Sequence, residues 1–378
     1  MYACGFYARA TGAAFKAKGH KPLGCDSKAS GVPEENSMTT HSSQDKESLG
    51  HVHPSQSSKA HKGSKALKPK PQHALEREAL VGEQSIELLK ALHILTREGQ
   101  LNQDSRRKLK QVNHLVQLLE GPLRDLARVH KTGAQQPLTL VDHGAGKSYL
   151  GFVLYDRFGA HRALEPSSPT EDTADERSAA MALRVIAVES RAELVARSAQ
   201  LAQDFGFTGM AFLNARSEDA GALQEMPQRV DVVTALHACD TLSDDAIEFA
   251  LCKSAQLMFL VPCCQAETAS ALKANRALLL NKNPLAELWR HPLHTRELGS
   301  QLTNVMRCLY LEAMGYTVTV TELVGWEHSM KNELIVAKFS GQRKQQAAQR
   351  LKELLAQFGL EGLLSKRFSR IENGGDRG

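Results

Sequence analysis

Residues Leu138–Leu150 read L-T-L-V-D-H-G-A-G-K-S-Y-L, and this stretch decides the fold. An apolar run ends in Asp142, glycines follow at Gly144 and Gly146, and a helix-forming sequence begins after them. A strand, a glycine turn and a helix in this order open a βαβ unit of a parallel sheet. Because glycine lets the backbone approach a ligand closely, the turn is also a candidate binding site.

Two phosphate-binding motifs fail at this turn. The segment G-A-G-K-S resembles part of a phosphate-binding loop, but such a loop needs a further glycine where Val141 lies inside the strand. A dinucleotide-binding turn needs a third glycine at the position of Tyr149. An acid beside two glycines suits instead a cationic ligand without phosphates. A structural alternative stays open, in which the glycines only shape a tight turn and Asp142 caps it.

The cationic ligand that fits this pattern is S-adenosylmethionine. Glu189 ends the next apolar run, V-I-A-V-E, where a carboxylate can accept both ribose hydroxyls. We therefore expect the cofactor to be bound by Asp142, Gly144, Gly146 and Glu189. Asn214 or Asp219, after the third apolar run, is expected to approach the adenine.

Short apolar runs alternate with helical stretches through the central part of the chain. Seven strands are predicted, at Leu138–Asp142, Val185–Glu189, Met210–Asn214, Val230–Leu236, Leu257–Pro262, Thr317–Val324 and Glu333–Phe339. Helices are expected between most of them, near 147–158, 191–204, 243–252 and 266–280. The alternation predicts a doubly wound α/β fold with a mostly parallel sheet, and the short final turn predicts one antiparallel strand at the edge. Five parallel strands and a closing hairpin resemble the seven-stranded, Rossmann-like plan of class I methyltransferases.

The predicted sheet has extensions on both sides. Residues 1–78 are rich in Ser, Lys, His, Gly and Pro, which predicts a disordered basic tail. A helical extension is expected at 79–132, with its second helix broken at Gly121-Pro122. The methyltransferase domain is predicted at 133–341, with a polar loop at 166–178 and a helical insertion at 282–314. A C-terminal helix, at about 342–365, and a tail complete the chain at 342–378.

Charge and cysteine content narrow the class of protein. The net charge of +5 resides in residues 1–78, which hold 12 basic and 7 acidic residues, whereas the rest holds 35 of each sign. The overall pI therefore says little about nucleic acid. No stretch approaches the roughly 20 apolar residues of a membrane span, so we expect a soluble protein without a membrane partner. Seven cysteines, an odd number in a long chain, argue against a secreted disulfide scaffold and favour the cytoplasm.

Titratable residues gather after the fourth and fifth predicted strands. The segment L-H-A-C-D-T-L-S-D-D places His237 and Asp240 there, as candidate catalytic bases or positioning residues. The segment V-P-C-C-Q places Cys263 and Cys264 on the same edge of the sheet, because parallel strands end together. The cysteine pair is open to three interpretations. It can act as a nucleophile, hold zinc with Cys239 and His237, or simply pack; packing is favoured and no metal is predicted.

These motifs together resemble a known family. D-H-G-A-G-K-S-Y-L, L-H-A-C-D-T-L-S-D-D, V-P-C-C-Q and E-H-S-M-K-N-E-L-I (residues 327–335) are similar to a methyltransferase family. It includes human methyltransferase-like proteins and the methyltransferase half of a glutathione-transferase-C-terminal-domain protein. The resemblance covers roughly residues 100–340 and implies S-adenosylmethionine as cofactor. It leaves the tail unexplained.

A more distant resemblance, to tRNA 2′-O-methyltransferases, implies an RNA acceptor. Cys239, Asp244 and the cysteine pair fall in comparable places, whereas Ala238 and Asp240 depart from that family's pattern. A basic stretch at 273–310, containing Trp289, His291 and His294, suits an RNA backbone. We therefore expect methyl transfer to RNA, with tRNA and rRNA both open and the oligomeric state undetermined. The alternatives are a protein or small-molecule methyltransferase and an inactive nucleic-acid-binding module with the same fold.

Overall fold

The structure is a computed structural model that describes residues 84–101, 103–131, 137–159, 181–280, 284–323 and 333–372. The predicted tail at 1–78 and the polar loop at 166–178 lie outside these residues. Within them, no helix has both the length and the apolar character needed to cross a bilayer.

Seven strands form one sheet in the order β3-β2-β1-β4-β5-β7-β6. Strands β1 to β5 are parallel, and β7 runs antiparallel to both β5 and β6. The strands are β1 (Leu138–His143), β2 (Leu183–Glu189), β3 (Met210–Asn214), β4 (Val232–Cys239), β5 (Leu257–Cys264), β6 (Tyr316–Glu322) and β7 (Glu333–Phe339). This architecture confirms the predicted doubly wound, seven-stranded α/β fold.

Helices cover both faces of the sheet. In chain order they are α1 (Ile86–Ala91), α2 (Gln103–Lys131), α3 (Tyr149–Phe158), α4 (Ala192–Asp204), α5 (Leu242–Cys252), α6 (Ala266–Leu280), α7 (Pro292–Ala313), α8 (Gln345–Gln357), α9 (Gly362–Arg367) and α10 (Ser369–Glu372). Short 3₁₀ turns lie at Ala220–Ala222 and Pro284–Trp289.

The sheet separates two apolar cores. One core packs α1, α2 and α3 against the sheet through residues such as Leu115 and Phe152. The other packs α5, α7 and the C-terminal helices against the opposite face, through residues such as Tyr310 and Leu351. Strand order reverses between β1 and β4, so a crevice opens at their carboxyl ends. The candidate site lies at this reversal.

The predicted break at Gly121-Pro122 is wrong, because α2 continues through both residues to Lys131. Leu119 and Leu123, on either side of the proline, are fully buried in the core. Their packing stabilises the helix locally, whereas proline removes a single main-chain hydrogen bond. The final helix, predicted as one segment to residue 365, is instead divided. Gly359, with a φ of +64°, follows the end of α8, and α9 begins after it.

Candidate active site

A cavity of about 440 Å³ lies at the carboxyl edge of β1 and β4. Its volume falls in the range of small-molecule sites. The glycine turn forms its floor, and the N-terminal helical extension forms one wall. Its lining comprises Ile94, Gln111, Val112, Leu115, Asp142, Gly144, Ala145, Gly146, Lys147, Tyr149, Leu150, Arg191, Leu236, Val261 and Leu323.

The two glycines of the turn are required by backbone geometry. Gly144 has a φ of +63° and Gly146 a φ of +59°, a region that side chains disfavour. A Cβ added to Gly144 would also stand 3.0 Å from Leu242 Cδ1. The turn therefore presents bare backbone to the cavity, as the sequence predicts.

Asp142 is a buried acid that lines the cavity. Its carboxylate accepts a hydrogen bond of 2.6 Å from the Thr234 hydroxyl, across the β1–β4 pair. Burial raises the pKa of Asp142 to about 7, although the Thr234 hydrogen bond opposes this shift. The neighbouring His143 is fully buried and packs edge-on against Phe249 at 4.4 Å. Burial lowers the pKa of His143 to about 3, so this ring is neutral.

Glu189 is fastened to the glycine turn. Its Oε2 accepts a 2.8 Å hydrogen bond from the Gly146 N–H, and its Oε1 accepts bonds of 3.0 Å from the N–H and Nε of Arg191. Burial raises the pKa of Glu189, but the Arg191 and Gly146 hydrogen bonds outweigh it and hold the pKa below its usual value. Glu189 is therefore an ionised carboxylate beside the cavity, joined to Asp142 through the turn between them.

The residues expected near the adenine lie further out. The Asn214 amide donates to the carbonyl oxygens of Glu189 at 3.0 Å and Ser190 at 2.9 Å, which fixes the end of β2. Asp219 is exposed and precedes the 3₁₀ turn at Ala220–Ala222. Of these two residues, neither lines the cavity. Their contact with adenine stays a prediction.

The edge formed by the ends of β4 and β5 is irregular. The pairing of β4 with β5 shifts register between Leu236 and Cys239, which marks a bulge where β4 runs three residues past its predicted end. Such bulges re-aim side chains and occur beside active sites. The register pairs Cys239 with Cys264, so the two strand ends meet. The side chains of His237, Cys239, Cys263 and Cys264 lie outside the described residues, as do Glu327, Lys331 and Asn332 of the fourth motif.

Asp240 follows this bulge with a φ of +51°. Its Oδ1 accepts hydrogen bonds from the N–H groups of Ala266 at 2.9 Å and Glu267 at 3.1 Å. Asp240 therefore caps the first turn of α6 from a different loop.

The basic stretch at 273–310 offers less free charge than its sequence suggests. Arg290 pairs with Glu287 at 3.3 Å and Arg296 with Glu297 at 2.9 Å. Arg307 is buried, and so is Trp289, which packs on Phe358 at 5.4 Å between ring centroids. Trp289 is therefore a core residue, and its ring is not exposed to a ligand.

The sequence did not predict the roles of four residues at this site. Arg191 and Thr234 contact the two acids, Gln111 lines the cavity wall, and Arg307 lies beneath the rim. Thr234 and Arg307 each interrupt an apolar segment, V-V-T-A-L and M-R-C-L, and that interruption is the signal that could have found them.

Residues 107–271 match a family model described as a methyltransferase domain. This segment is a methyltransferase domain. The match with the methyltransferase domain ends within α6, so α7 and the two closing strands lie beyond it.

Several solved structures are similar to this chain at low sequence identity. A methyltransferase from Geobacter sulfurreducens is 14% identical, with 71% of this chain and 95% of that chain covered and a TM-score of 0.33. Magnesium protoporphyrin IX methyltransferase from Synechocystis PCC 6803 is 11% identical, with coverages of 71% and 99% and a TM-score of 0.34. An rRNA methylase from Streptococcus thermophilus is 9% identical, with coverages of 54% and 87% and a TM-score of 0.30. No curated protein sequence matches the chain.

Proposed function

We propose that this methyltransferase transfers the methyl group of S-adenosylmethionine to an RNA acceptor, with tRNA and rRNA both open. The observation that carries the proposal is one cavity at the sheet reversal that contains the Asp142 carboxyl and the bare glycine turn. Glu189 joins the same site through its hydrogen bond to Gly146. A negative carboxyl, exposed backbone and a second carboxylate are the groups that a sulfonium-bearing nucleoside requires.

Each of these residues has a distinct role in the proposal. Asp142 attracts the ammonium group of the cofactor, and Gly144 and Gly146 allow its methionine part to approach the backbone. Glu189 accepts the ribose hydroxyls, in place of the Arg191 hydrogen bonds that it accepts here. Asn214 or Asp219 approaches the adenine. When bound, the cofactor supplies an electrophilic methyl group to an acceptor held in line with it.

The inner part of the cavity favours a flat, weakly polar acceptor. Leu236, Val261 and Leu323 line it from the ends of β4, β5 and β6. Such a lining excludes water from the reacting groups, and a nucleobase or ribose edge fits it better than a charged side chain. His237 is the proposed base or positioning residue on this side, and Cys263 and Cys264 are proposed to shape the pocket.

Basic residues beside the cavity favour RNA. A second cavity, of about 290 Å³, shares Lys147 and Tyr149 with the first and is also lined by His93 and Arg197. Three basic side chains of this lining are exposed, namely Lys147, His93 and Arg197. The lining also contains one acid, Asp204. Phosphates of a bound strand can approach Lys147 and Arg197 while one nucleotide enters the apolar part of the first cavity.

The proposal is tested by methyl transfer from tritiated S-adenosylmethionine into total RNA and, separately, into total protein. We expect label in RNA with the wild-type enzyme and none with Asp142→Ala. Asp125→Ala is the matched control, because Asp125 is an exposed acid on α2, far along the helix from the cavity lining. Label in protein alone would overturn the RNA acceptor and leave the methyltransferase in place.

An inactive binding module is distinguished by calorimetry with S-adenosylhomocysteine. The proposed enzyme binds it at micromolar concentration, and Asp142→Ala weakens that binding, whereas an inactive fold binds none.

Arg197→Glu is expected to raise the KM for RNA without changing cofactor affinity, and Arg350→Glu, on α8, is its control. We also propose the domain limits that the sequence predicts and a cytoplasmic location. The location is inferred from the odd number of cysteines.

A further inference from the structure

A buried polar network lies beneath the rim where β4 and β5 end, and Arg307 of α7 is its centre. The Arg307 side chain is 1% exposed. Its guanidinium donates to both carboxylate oxygens of Asp244, at 2.8 and 2.7 Å, and to the main-chain oxygen of Asp240 at 2.8 Å. A bidentate pair of this kind is both strong and directional. Arg307 therefore holds the loop after β4 from below.

Asp240 also links this loop by hydrogen bonds to the segment that follows β5. While its main-chain oxygen accepts from Arg307, its carboxylate accepts the N–H groups of Ala266 and Glu267, the first residues of α6. Those residues follow the segment V-P-C-C-Q directly. One residue thus joins the loop that follows His237 to the loop that follows Cys263 and Cys264.

The network also reaches α7 and β7. Asn304 accepts from the Gln265 amide at 3.2 Å and from Arg307 at 3.3 Å, and it donates to Glu333 at 2.8 Å. Ser300 donates to Gln265 at 2.6 Å. Gln265, Asn304 and Arg307 are all buried, so these bonds form away from bulk water, where an unmade bond is costly.

The rim needs such a restraint because its backbone is strained. Asp240 has a φ of +51°, which a residue other than glycine adopts only at a cost of about 1 kcal/mol or more. The β4 bulge immediately precedes it. Strained conformations of this kind persist where the surrounding structure determines them, and they concentrate at functional sites.

We propose that Asp240 and Arg307 are positioning residues that hold the two acceptor-side loops in register with each other. The inference rests on the proposed function, since it assigns these loops to the acceptor. It also separates the two roles that the sequence left open for Asp240. Its Oδ1 accepts two main-chain N–H groups, so this oxygen acts on the protein backbone, and the variants below decide whether the carboxylate also accepts a proton.

The test compares Asp240→Asn with Asp240→Ala. An asparagine side-chain oxygen still accepts the two N–H groups but cannot take a proton, whereas alanine does neither. We expect Asp240→Asn to keep kcat within about threefold of the wild type and Asp240→Ala to lower it about 10- to 100-fold, as loss of alignment does. Equal losses in the two variants would overturn the positioning role.

Hydrogen exchange gives a second readout that needs no acceptor. Asp240→Ala should speed exchange at Ala266 and Glu267 about fivefold or more, the effect of losing a helix cap, and Asp240→Asn should not. Arg307→Lys, which keeps the charge but loses the bidentate geometry, should speed exchange in both loops. Unchanged exchange in Asp240→Ala would contradict the inference.

Calorimetry with S-adenosylhomocysteine separates this inference from the proposed function. All three variants should bind it with wild-type affinity, because the network lies outside the cofactor cavity lining. A wild-type enzyme that binds no cofactor and labels no acceptor would overturn the proposed function, while the exchange experiment would still decide whether Asp240 and Arg307 hold the loops.

Discussion

At the residue scale, the carboxyl of Asp142 is 3% exposed and has the Thr234 hydroxyl as its hydrogen-bond donor, and burial raises its pKa to about 7. A cationic cofactor favours the ionised carboxylate, so the pKa should fall in the complex. Binding then releases a proton below pH 7, and affinity decreases as the pH is lowered through that value. We expect affinity for S-adenosylmethionine to drop about tenfold from pH 8 to pH 6, the effect of one proton.

Calorimetry at the two pH values checks this expectation, and Asp142→Asn is the control, because it keeps the acceptor oxygen for Thr234 but cannot ionise. The variant should bind more weakly than the wild type and with a smaller pH dependence. An equal pH dependence in both proteins would assign the titration to another group.

The ionisation of Asp142 should have opposite effects on cofactor affinity and on stability: affinity increases with pH, whereas the stability of the free protein decreases. Because the fold raises the pKa of Asp142 above its ordinary value of 3.8, ionisation opposes folding, and stability is lost as the pH rises from about 4 through about 7. Without cofactor, Asp142→Asn should therefore raise the free energy of unfolding at pH 8, by up to about 4 kcal/mol, and leave it nearly unchanged at pH 4. Denaturant unfolding at both pH values measures this difference. A variant that is less stable at pH 8 would contradict the burial argument.

At the scale of elements, α2 supplies a wall of the cavity through Gln111, Val112 and Leu115. The interior of the same helix contains Gly121. Nothing lies within 4 Å of a Cβ added to Gly121. Glycine in a helix interior costs about 0.5–1 kcal/mol relative to alanine, so Gly121→Ala should raise the free energy of unfolding by that amount. Cofactor affinity should not change.

Leu115→Ala, in the same helix, should lower both stability and affinity, because it opens the core and the cavity wall.

Local patterns predicted the sheet and its glycine turn because both depend on neighbouring residues. The strand that ends in Asp142, the acid at Glu189 and the parallel alternation are all visible within short windows of sequence. The break at Pro122 was predicted wrongly because the packing of Leu119 and Leu123 overrides the local preference of proline. Arg307 pairs with Asp244 across 63 residues, and periodicity carries no information on a contact of that range.

At the scale of the whole molecule, the two cores serve the site differently. The core that contains α1, α2 and α3 borders the proposed cofactor cavity, whereas Arg307, in the core that contains α5 and α7, holds the proposed acceptor-side loops. The matched methyltransferase domain ends before α7. Cofactor binding and acceptor positioning are therefore expected to respond to different sets of substitutions, as the Asp142 and Asp240 variants test.

The uneven charge of the chain leads to a prediction about RNA. Residues 1–78 hold 12 basic and 7 acidic residues, and the remainder is neutral. If this excess contacts phosphates, deleting residues 1–78 weakens RNA binding and flattens its dependence on salt, because fewer counterions are released. Fluorescence anisotropy with a labelled single-stranded oligoribonucleotide, at about 50 and about 300 mM salt, measures both effects. Binding of S-adenosylhomocysteine should stay unchanged, since the cavity is formed by later residues. Equal RNA affinity and equal salt dependence in the two proteins would assign RNA binding to the cations beside the cavity alone.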